Sequence, residues 1–156
     1  MKKFLFFALA LVLLGLTGYM PFGGTDVGKL HPVEALFVGV SEDTINIITD
    51  TGVTGPGSTL EEALADLHMR ATGKVFLETA NYLLLSPQVQ LDAAAFWDFL
   101  RPACQIYRCS SAEGLHNVAK YLESHPSQIT LLRWRTGAED IPKLEITGEG
   151  YKLYAP

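Results

Sequence analysis

The tripeptide Asp50-Thr51-Gly52 contains the residue types that come closest to a known catalytic arrangement. An aspartate that follows an apolar strand can hydrolyse peptide bonds when a second aspartate shares its proton, because one carboxyl group then acts as a base and the other as an acid. Ile47 and Ile48 supply the apolar residues here. Since the chain contains the triplet once, the second aspartate would have to come from another copy of the chain.

The residues around this triplet favour a structural role. Aspartic peptidases usually have an apolar residue immediately before the aspartate and place the triplet in an all-β barrel, whereas Thr49 precedes it here and a capped helix is predicted shortly after it. Asp, Thr and Gly are also common turn residues. We interpret the triplet as a turn, and an exported dimeric aspartic peptidase using Asp50-Thr51-Gly52 is the alternative.

The glycine-rich segment 52–57 precedes a predicted helix, where free N–H groups can bind anions. A Walker loop has lysine after its last glycine, whereas this chain has Ser58. Glu61 and Glu62 in the first helical turn would also repel phosphate. We therefore interpret the Gly/Pro-rich segment from Asp50 to Gly57 as an ordinary loop.

The two cysteines, Cys104 and Cys109, lack the paired spacing of a structural zinc site, and His116 does not complete one. On one extended strand they would lie about 16 Å apart and point to opposite faces, which excludes a disulfide between them. The sequence therefore predicts no catalytic, cofactor-binding or metal-ligating residue, no cofactor, and a protein that is not an enzyme.

The charge balance narrows the range of partners. The chain has 12 Lys and Arg against 17 Asp and Glu, and without Lys2 and Lys3 the balance is 10 against 17, a net charge of −7. Nucleic-acid binding needs a concentrated basic face, so this composition argues against a nucleic-acid partner. It also argues against electrostatic attachment to an anionic membrane.

The first twenty residues have the layout of an export signal. Met1-Lys2-Lys3 precedes an apolar run from Phe4 to Leu16. Leu16-Thr17-Gly18 is typical of the residues before the lipid-bearing cysteine of a bacterial lipoprotein, but Tyr19 occupies that position. Cleavage near Gly18 and retention as a membrane anchor both remain open, and in either case the domain would lie outside the cytoplasm.

The pattern of apolar residues predicts alternating strands and helices after a linker at 21–32. Val33–Val40 and Thr44–Thr49 should form a hairpin around Ser41-Glu42-Asp43. Ser58 and Thr59 each begin a capping box, so a helix should start there and end at Gly73. The following strands are predicted at Lys74–Glu78 and Tyr82–Ser86.

The second half of the chain continues the alternation. The apolar residues predict a helix at Leu91–Leu100, a strand at Gln105–Cys109, and a helix capped by Ser110 whose buried face includes Leu115 and Leu122. A strand is expected at Ile129–Trp134. The final expected elements are one or two short strands between Ile141 and Tyr154.

These elements predict a single α/β (α+β) domain over residues 33–156, with a mixed β-sheet and about three packed amphipathic helices, preceded by the apolar signal or anchor helix. The step from Ile45 through the first helix to Leu77 should be a right-handed crossover within that sheet.

The order of these elements resembles the N-terminal domain of the Ger(x)C family, the C subunits of spore germinant receptors. The resemblance covers roughly residues 33–147. The segments that carry it are Gly57–Leu67, Gly73–Glu78, Tyr82–Ser86, Phe96–Leu100 and Gln105–Leu115, and Ile141–Leu144 is similar to the start of the family's next domain. Tyr19 departs from the family's acylated cysteine, and family members continue into further domains.

The resemblance implies an exported, membrane-associated, non-enzymatic interaction domain linked to sporulation or germination. Its partners would be the membrane, through the N-terminal segment, and other protein subunits. It implies no catalytic residue and does not identify a small-molecule ligand. A secreted binding module of unrelated role is a further alternative, and it differs only in its partner.

Overall fold

The computed structural model describes residues 30–138, 140–147 and 150–154. The apolar segment 1–20 and most of the linker 21–32 lie outside these residues. The described part of the chain is a mixed α/β domain with a seven-stranded sheet and three α-helices, which confirms the predicted fold class.

Within the described residues, nine strands and three α-helices follow one another, with two short 3-10 helices at Leu77–Thr79 and Ala93–Phe96. The strands are β1 (Leu30–Pro32), β2 (Ala35–Ser41), β3 (Thr44–Thr49), β4 (Thr54–Gly57), β5 (Lys74–Phe76), β6 (Tyr82–Leu85), β7 (Gln105–Cys109), β8 (Lys143–Thr147) and β9 (Gly150–Tyr154). The α-helices are α1 (Leu60–Arg70), α2 (Leu115–Glu123) and α3 (Leu131–Arg135).

The main sheet has the strand order β4-β3-β2-β6-β7-β8-β9. Strands β2, β6, β7 and β8 are parallel, while β3, β4 and β9 are antiparallel to their neighbours. The parallel strands are therefore central, and β6 and β7 are almost wholly buried, as expected for strands covered on both faces. Strands β1 and β5 form a separate parallel pair.

Alternate residues of the sheet supply two hydrophobic cores. The first core lies on the face covered by α1, α3 and the 3-10 helices, and it includes Leu36, Val38, Leu83, Leu85, Ile106, Ala63, Leu67, Phe96 and Leu131. The second lies under α2 and includes Phe37, Leu84, Tyr107, Leu144, Leu115, Val118 and Leu122. Because side chains alternate along a strand, each central strand feeds both cores.

Helix α1 packs directly on the backbone of β4. A Cβ on Gly55 would lie 2.2 Å from the carbonyl oxygen of Ala63, and a Cβ on Gly57 would lie 2.3 Å from the backbone nitrogen of Ala63.

The predicted cap of α1 is present, because the Thr59 side chain accepts the N–H of Glu62. The Glu62 carboxylate in turn accepts the N–H of Ser58 at 2.9 Å.

The predicted loop from Asp50 to Gly57 is only half correct, because Thr54–Gly57 is strand β4, paired with β3. The end of the predicted linker likewise forms strand β1. Pro56 has no N–H to donate, which suits an edge strand. Its two flanking glycines are needed for contact with α1 rather than for loop flexibility.

The predicted crossover within the main sheet is wrong. The strand after α1 is β5, which pairs with β1 outside that sheet, and β6 instead lies parallel to β2. The reason is burial: only Val75 of β5 is buried, whereas all four residues of β6 are buried. A continuous apolar strand is favoured at the centre of a parallel sheet.

The predicted helix at Leu91–Leu100 is also wrong, since only the 3-10 helix Ala93–Phe96 forms there. The Asp92 carboxylate accepts the N–H groups of Ala94 and Ala95, and the turn continues with i to i−3 bonds such as Trp97 N–H to Ala94. Phe96 is fully buried, whereas Trp97 and Phe99 are partly buried.

The segment predicted as a strand at Ile129–Trp134 is instead helix α3, after a single bridge between Thr130 and Gln105. Thr130 caps the helix by accepting the N–H of Arg133. Leu131 enters the first core and Trp134 packs on Phe96 at 6.0 Å between ring centroids, so tertiary packing overrides the strand-like composition.

Helix α2 has the predicted buried face, but it begins at Leu115 rather than near Ser110. Gly114 occupies its N-cap position with φ 62°, and the Ser111 hydroxyl accepts the N–H of Glu113 before the helix starts. The predicted Ser110 cap is therefore wrong, because a left-handed residue separates that serine from the helix.

Candidate binding cleft

A cleft opens where the parallel strands end. Ser41 is the last residue of β2, Ser86 follows β6, and Ser110 follows β7. In open sheets with parallel strands, this carboxyl edge is the usual place for ligand sites. We refer to the cavities lined by these residues as the carboxyl-edge cleft.

The carboxyl-edge cleft consists of two cavities that share Ser110 in their lining. The first has a volume of about 530 Å³ and is lined by Pro87, Arg108, Cys109, Ser110, Ile141 and Lys143. The second, of about 370 Å³, lies over β2 and β3 and is lined by Phe37, Gly39, Val40, Ser41, Asn46, Ile48, Ser86, Gln88 and Ser110. Both volumes suit a small ligand or a few side chains of a partner.

Arg108 is held in the first cavity by the neighbouring backbone. Its Nη1 donates to the carbonyl oxygens of Ser86 and Val89, each at 3.2 Å. Its own N–H donates to the carbonyl of Pro142 at 2.8 Å. The strand β7 and the turn after β6 therefore fix the position of the guanidinium group together.

The positive charge of Arg108 has no carboxylate partner among the described residues. The ion pairs in these residues are Arg70–Asp66 and Lys143–Glu145. Burial lowers the pKa of Arg108, and no acidic side chain of the described residues offsets that effect. A half-buried charge without a counter-charge is unfavourable, and this makes the cleft electrostatically suited to an anion.

Lys143 lies opposite Arg108 in the register of β7 and β8, and unlike Arg108 it has a carboxylate partner. Its Nζ donates to Glu145 Oε1 at 2.7 Å, and this contact raises the pKa of Lys143. The same bond, with a second from the Tyr154 hydroxyl, lowers the pKa of Glu145. The charge of Lys143 is thus largely neutralised within the β8–β9 hairpin.

The second cavity has an apolar floor and a polar rim. The Phe37 ring lies over Gly39, since a Cβ there would be 2.8 Å from Phe37 Cε1. On the rim, the Ser86 hydroxyl donates to Gln88 Oε1. The Asn46 amide donates to the carbonyl of Thr44 at 3.3 Å. These bonds orient the rim without adding charge.

Asp50 lies away from the cleft, beside the amino end of β2. Its carboxylate accepts the N–H of Glu34 at 3.2 and 3.3 Å, and its own N–H donates to Ala35 at 3.0 Å. Burial raises its pKa, an effect that hydrogen bonding of the carboxylate to the backbone of Glu34 and Ala35 partly offsets. Gly52 has φ 84° and donates to Thr49, so the triplet forms the turn between β3 and β4.

The cysteines lie on opposite faces of the sheet, as predicted: Cys104 is in the first core and Cys109 in the second. Both are free. Burial raises the pKa of Cys104 to about 12 and also raises that of Cys109. Neither is a thiolate at neutral pH, so neither is a ready nucleophile or metal ligand.

The histidines of the described segments do not come together. His68 and His116 are exposed on different helices, and His125 stacks on Tyr121 at 4.2 Å between ring centroids. Within residues 30–138, 140–147 and 150–154, no group of three His, Cys, Asp or Glu side chains could hold a metal ion.

Arg108 is a site residue that no sequence motif predicts. A signal was present, because Arg108 is a charged residue between the buried residues Tyr107 and Cys109 of a strand, and a serine ends or follows each of three parallel strands. These positions converge only once the order of the strands is known.

Comparisons of the chain with protein-family models, with curated proteins and with solved structures gave no match. In the part of the chain that the structure describes, no helix is long and apolar enough to cross a membrane. The predicted signal or anchor segment lies outside that part.

Proposed function

We propose that this chain is an exported, membrane-associated, non-enzymatic interaction domain, similar in role to the first domain of the Ger(x)C subunits and related to sporulation or germination. The carboxyl-edge cleft carries the proposal. It is open, of ligand size, and contains an Arg108 charge without a counter-charge in the described residues. Asp50, the candidate acid–base group, lies at the amino end of β2 and is bonded to backbone.

The N-terminal segment supports export and membrane association. Its cationic start and apolar run are typical of a bacterial export signal. With Tyr19 in place of an acylated cysteine, any attachment would be made by the apolar segment itself, if it is retained. The alternative is a cleaved and secreted domain.

The partners we propose are the membrane, through the N-terminal segment, and other protein subunits, through the carboxyl-edge cleft. The composition disfavours nucleic acid. A secreted binding module with an unrelated partner would use the same cleft and differ only in what fills it.

Cell fractionation with mass analysis of the mature chain tests the localisation. We expect the protein in the membrane fraction with residues 1–18 still attached. Recovery of the whole mature protein in the soluble fraction would contradict membrane association and favour the secreted module.

Site-specific photo-crosslinking in the native host tests the cleft as the interaction site. A crosslinking residue at Ser110 should form a discrete protein adduct, whereas one at Met69, exposed on α1, should not. Equal adducts from both positions would indicate nonspecific contact and contradict the assignment of the cleft.

An exported dimeric aspartic peptidase is the second candidate. The observation in its favour is the half-buried Asp50 carboxyl group, whose pKa is raised by burial, as a general acid requires. If this function holds, Asp50→Asn abolishes peptide hydrolysis by the purified full chain. If the interaction-domain proposal holds, the same variant retains the membrane fractionation and the Ser110 adduct.

A further inference from the structure

We infer that the Arg108 cavity of the carboxyl-edge cleft is a carboxylate-binding site, which accepts an aspartate, glutamate or C-terminal carboxylate of the partner. The inference rests on the proposed interaction function and specifies what the partner presents.

The hydrogen bonds of Arg108 define which part of the guanidinium group is left for a ligand. A guanidinium has five N–H donors, two of them on Nη1. Nη1 donates to Ser86 and Val89, so both of its hydrogens have acceptors. Nε and Nη2 have no hydrogen-bond partner among the described residues, and together they form the edge that binds a carboxylate through two parallel bonds.

The backbone contacts also pre-organise this edge. A free arginine side chain loses conformational freedom when it binds a ligand. Here the bonds to two carbonyls and the position of Arg108 within β7 have already restricted the side chain. Binding a carboxylate therefore requires less ordering than it would at an exposed arginine.

The charges around the cavity favour a single negative charge. Arg108 has no carboxylate partner among the described residues, whereas Lys143 is paired with Glu145 at 2.7 Å. A phosphate dianion would place excess negative charge near Glu145. A carboxylate neutralises Arg108 without that repulsion, and its planar shape matches the guanidinium edge.

The lining of the cavity is compatible with a side chain carried by a protein. Pro87 and Ile141 provide apolar contact for the methylene groups of an acidic residue, and exposed Ser110 adds a hydroxyl donor at the rim. The volume of about 530 Å³ exceeds that of one acidic side chain, so neighbouring partner residues also fit.

The test is an NMR titration of the full chain in detergent, following the Nε–H resonance of Arg108. The probes are acetate, inorganic phosphate, chloride, and the blocked peptide Gly-Glu-Gly with its Gly-Gln-Gly counterpart. We expect saturable shifts with acetate and with the Glu peptide, at concentrations at least about tenfold lower than with chloride. The Gln peptide should give no saturable shift.

Two variants and a matched control assign the binding to Arg108. Arg108→Lys keeps the charge but loses the two-bond edge, and should weaken acetate binding at least about tenfold. Arg101→Lys, at an exposed arginine outside the cleft, should change it less than about twofold. Because Arg108→Lys also alters contacts with the 86–89 turn, Ser110→Asp provides a second variant that keeps Arg108 and places a negative charge at the rim.

Four outcomes would overturn the inference. These are acetate binding no stronger than chloride binding, insensitivity to both Arg108→Lys and Ser110→Asp, phosphate binding more than about tenfold tighter than acetate binding, or a Glu peptide that binds no more tightly than the Gln peptide. The last outcome would contradict recognition of an acidic side chain of a protein partner. None of them depends on the fractionation result, so failure of this inference and failure of the proposed function can be told apart.

Discussion

At the scale of single residues, the pKa of Asp50 makes stability depend on pH. Burial raises this pKa above its ordinary value of 3.8, so the folded state binds the proton more tightly than the unfolded state does. The contribution of Asp50 to stability is therefore most favourable below pH 3.8 and decreases as the pH rises through the folded pKa. Asp50→Asn should flatten this part of the stability profile.

Urea denaturation at several pH values between about 3.5 and 7 measures this effect. Asn retains a side-chain oxygen to accept the N–H of Glu34, so the variant should fold normally. Asp98→Asn, at an exposed aspartate, is the matched control and should leave the profile unchanged. An identical pH slope in Asp50→Asn and the wild type would refute the assigned role of burial.

Tyr107 provides a second prediction at this scale. Its hydroxyl accepts the N–H of Ser127 at 2.8 Å and donates to Gln105 Oε1 at 2.8 Å, which ties the segment after α2 to β7. Burial raises its pKa to about 12, so the hydroxyl stays protonated at neutral pH. Tyr107→Phe should lower the free energy of unfolding by about 1 kcal/mol.

The control for Tyr107→Phe is Tyr82→Phe, because Tyr82 is buried but its hydroxyl has no hydrogen bond within the described residues. Chemical denaturation should show a smaller loss for Tyr82→Phe. A larger loss for that control would contradict the stabilising role assigned to the Tyr107 hydroxyl network.

At the scale of elements, the contact between α1 and β4 depends on glycine. A Cβ on Gly55 would lie 2.2 Å from the carbonyl oxygen of Ala63, which belongs to the helix backbone and cannot rotate away. Gly55→Ala should therefore lower the free energy of unfolding by at least about 2 kcal/mol. Thermal and urea denaturation measure the change.

Gly52→Ala separates this steric effect from backbone strain. Gly52 has φ 84° and open space around the position of a Cβ, so its substitution should be destabilising by only about 1 kcal/mol, the strain of a left-handed residue. If Gly55→Ala destabilises the protein no more than Gly52→Ala, the helix can shift away from the strand and the packing argument fails.

At the scale of the whole molecule, the strand order predicts an uneven distribution of stability. Strand β6 is hydrogen-bonded to β2 on one side and β7 on the other, and both of its faces are covered. Strand β9 pairs only with β8 within the described residues, and none of its own residues is fully buried. Amide hydrogen exchange should be slowest in β6 and fastest in β9 among the strands of the main sheet.

Exchange measured by NMR or mass spectrometry on the full chain tests this gradient. Helix α2 should be protected along its buried face, since it is the helix that covers the second core. Protection in β9 equal to that in β6 would contradict the gradient and would indicate that something covers this edge in solution.

The sequence by itself determined the local elements whose signals are contained within a few residues. The alternation of Ile45 and Ile47 and the short turn before them specify the first hairpin. The Thr59 cap and the 3.6-residue spacing specify α1 and the buried face of α2. Local signals of this kind predict both strands and helices, and their alternation along the chain predicts the mixed α/β class.

Only the tertiary structure decided where those elements go and what they bring together. Competition for burial assigned the centre of the sheet to β6 and left β5 beside β1, and contacts with distant residues turned 131–135 into a helix. The strand order also brought Arg108 to the turn after β6 at the carboxyl edge. Such choices depend on free energies summed over residues far apart in the chain, and no local pattern contains them.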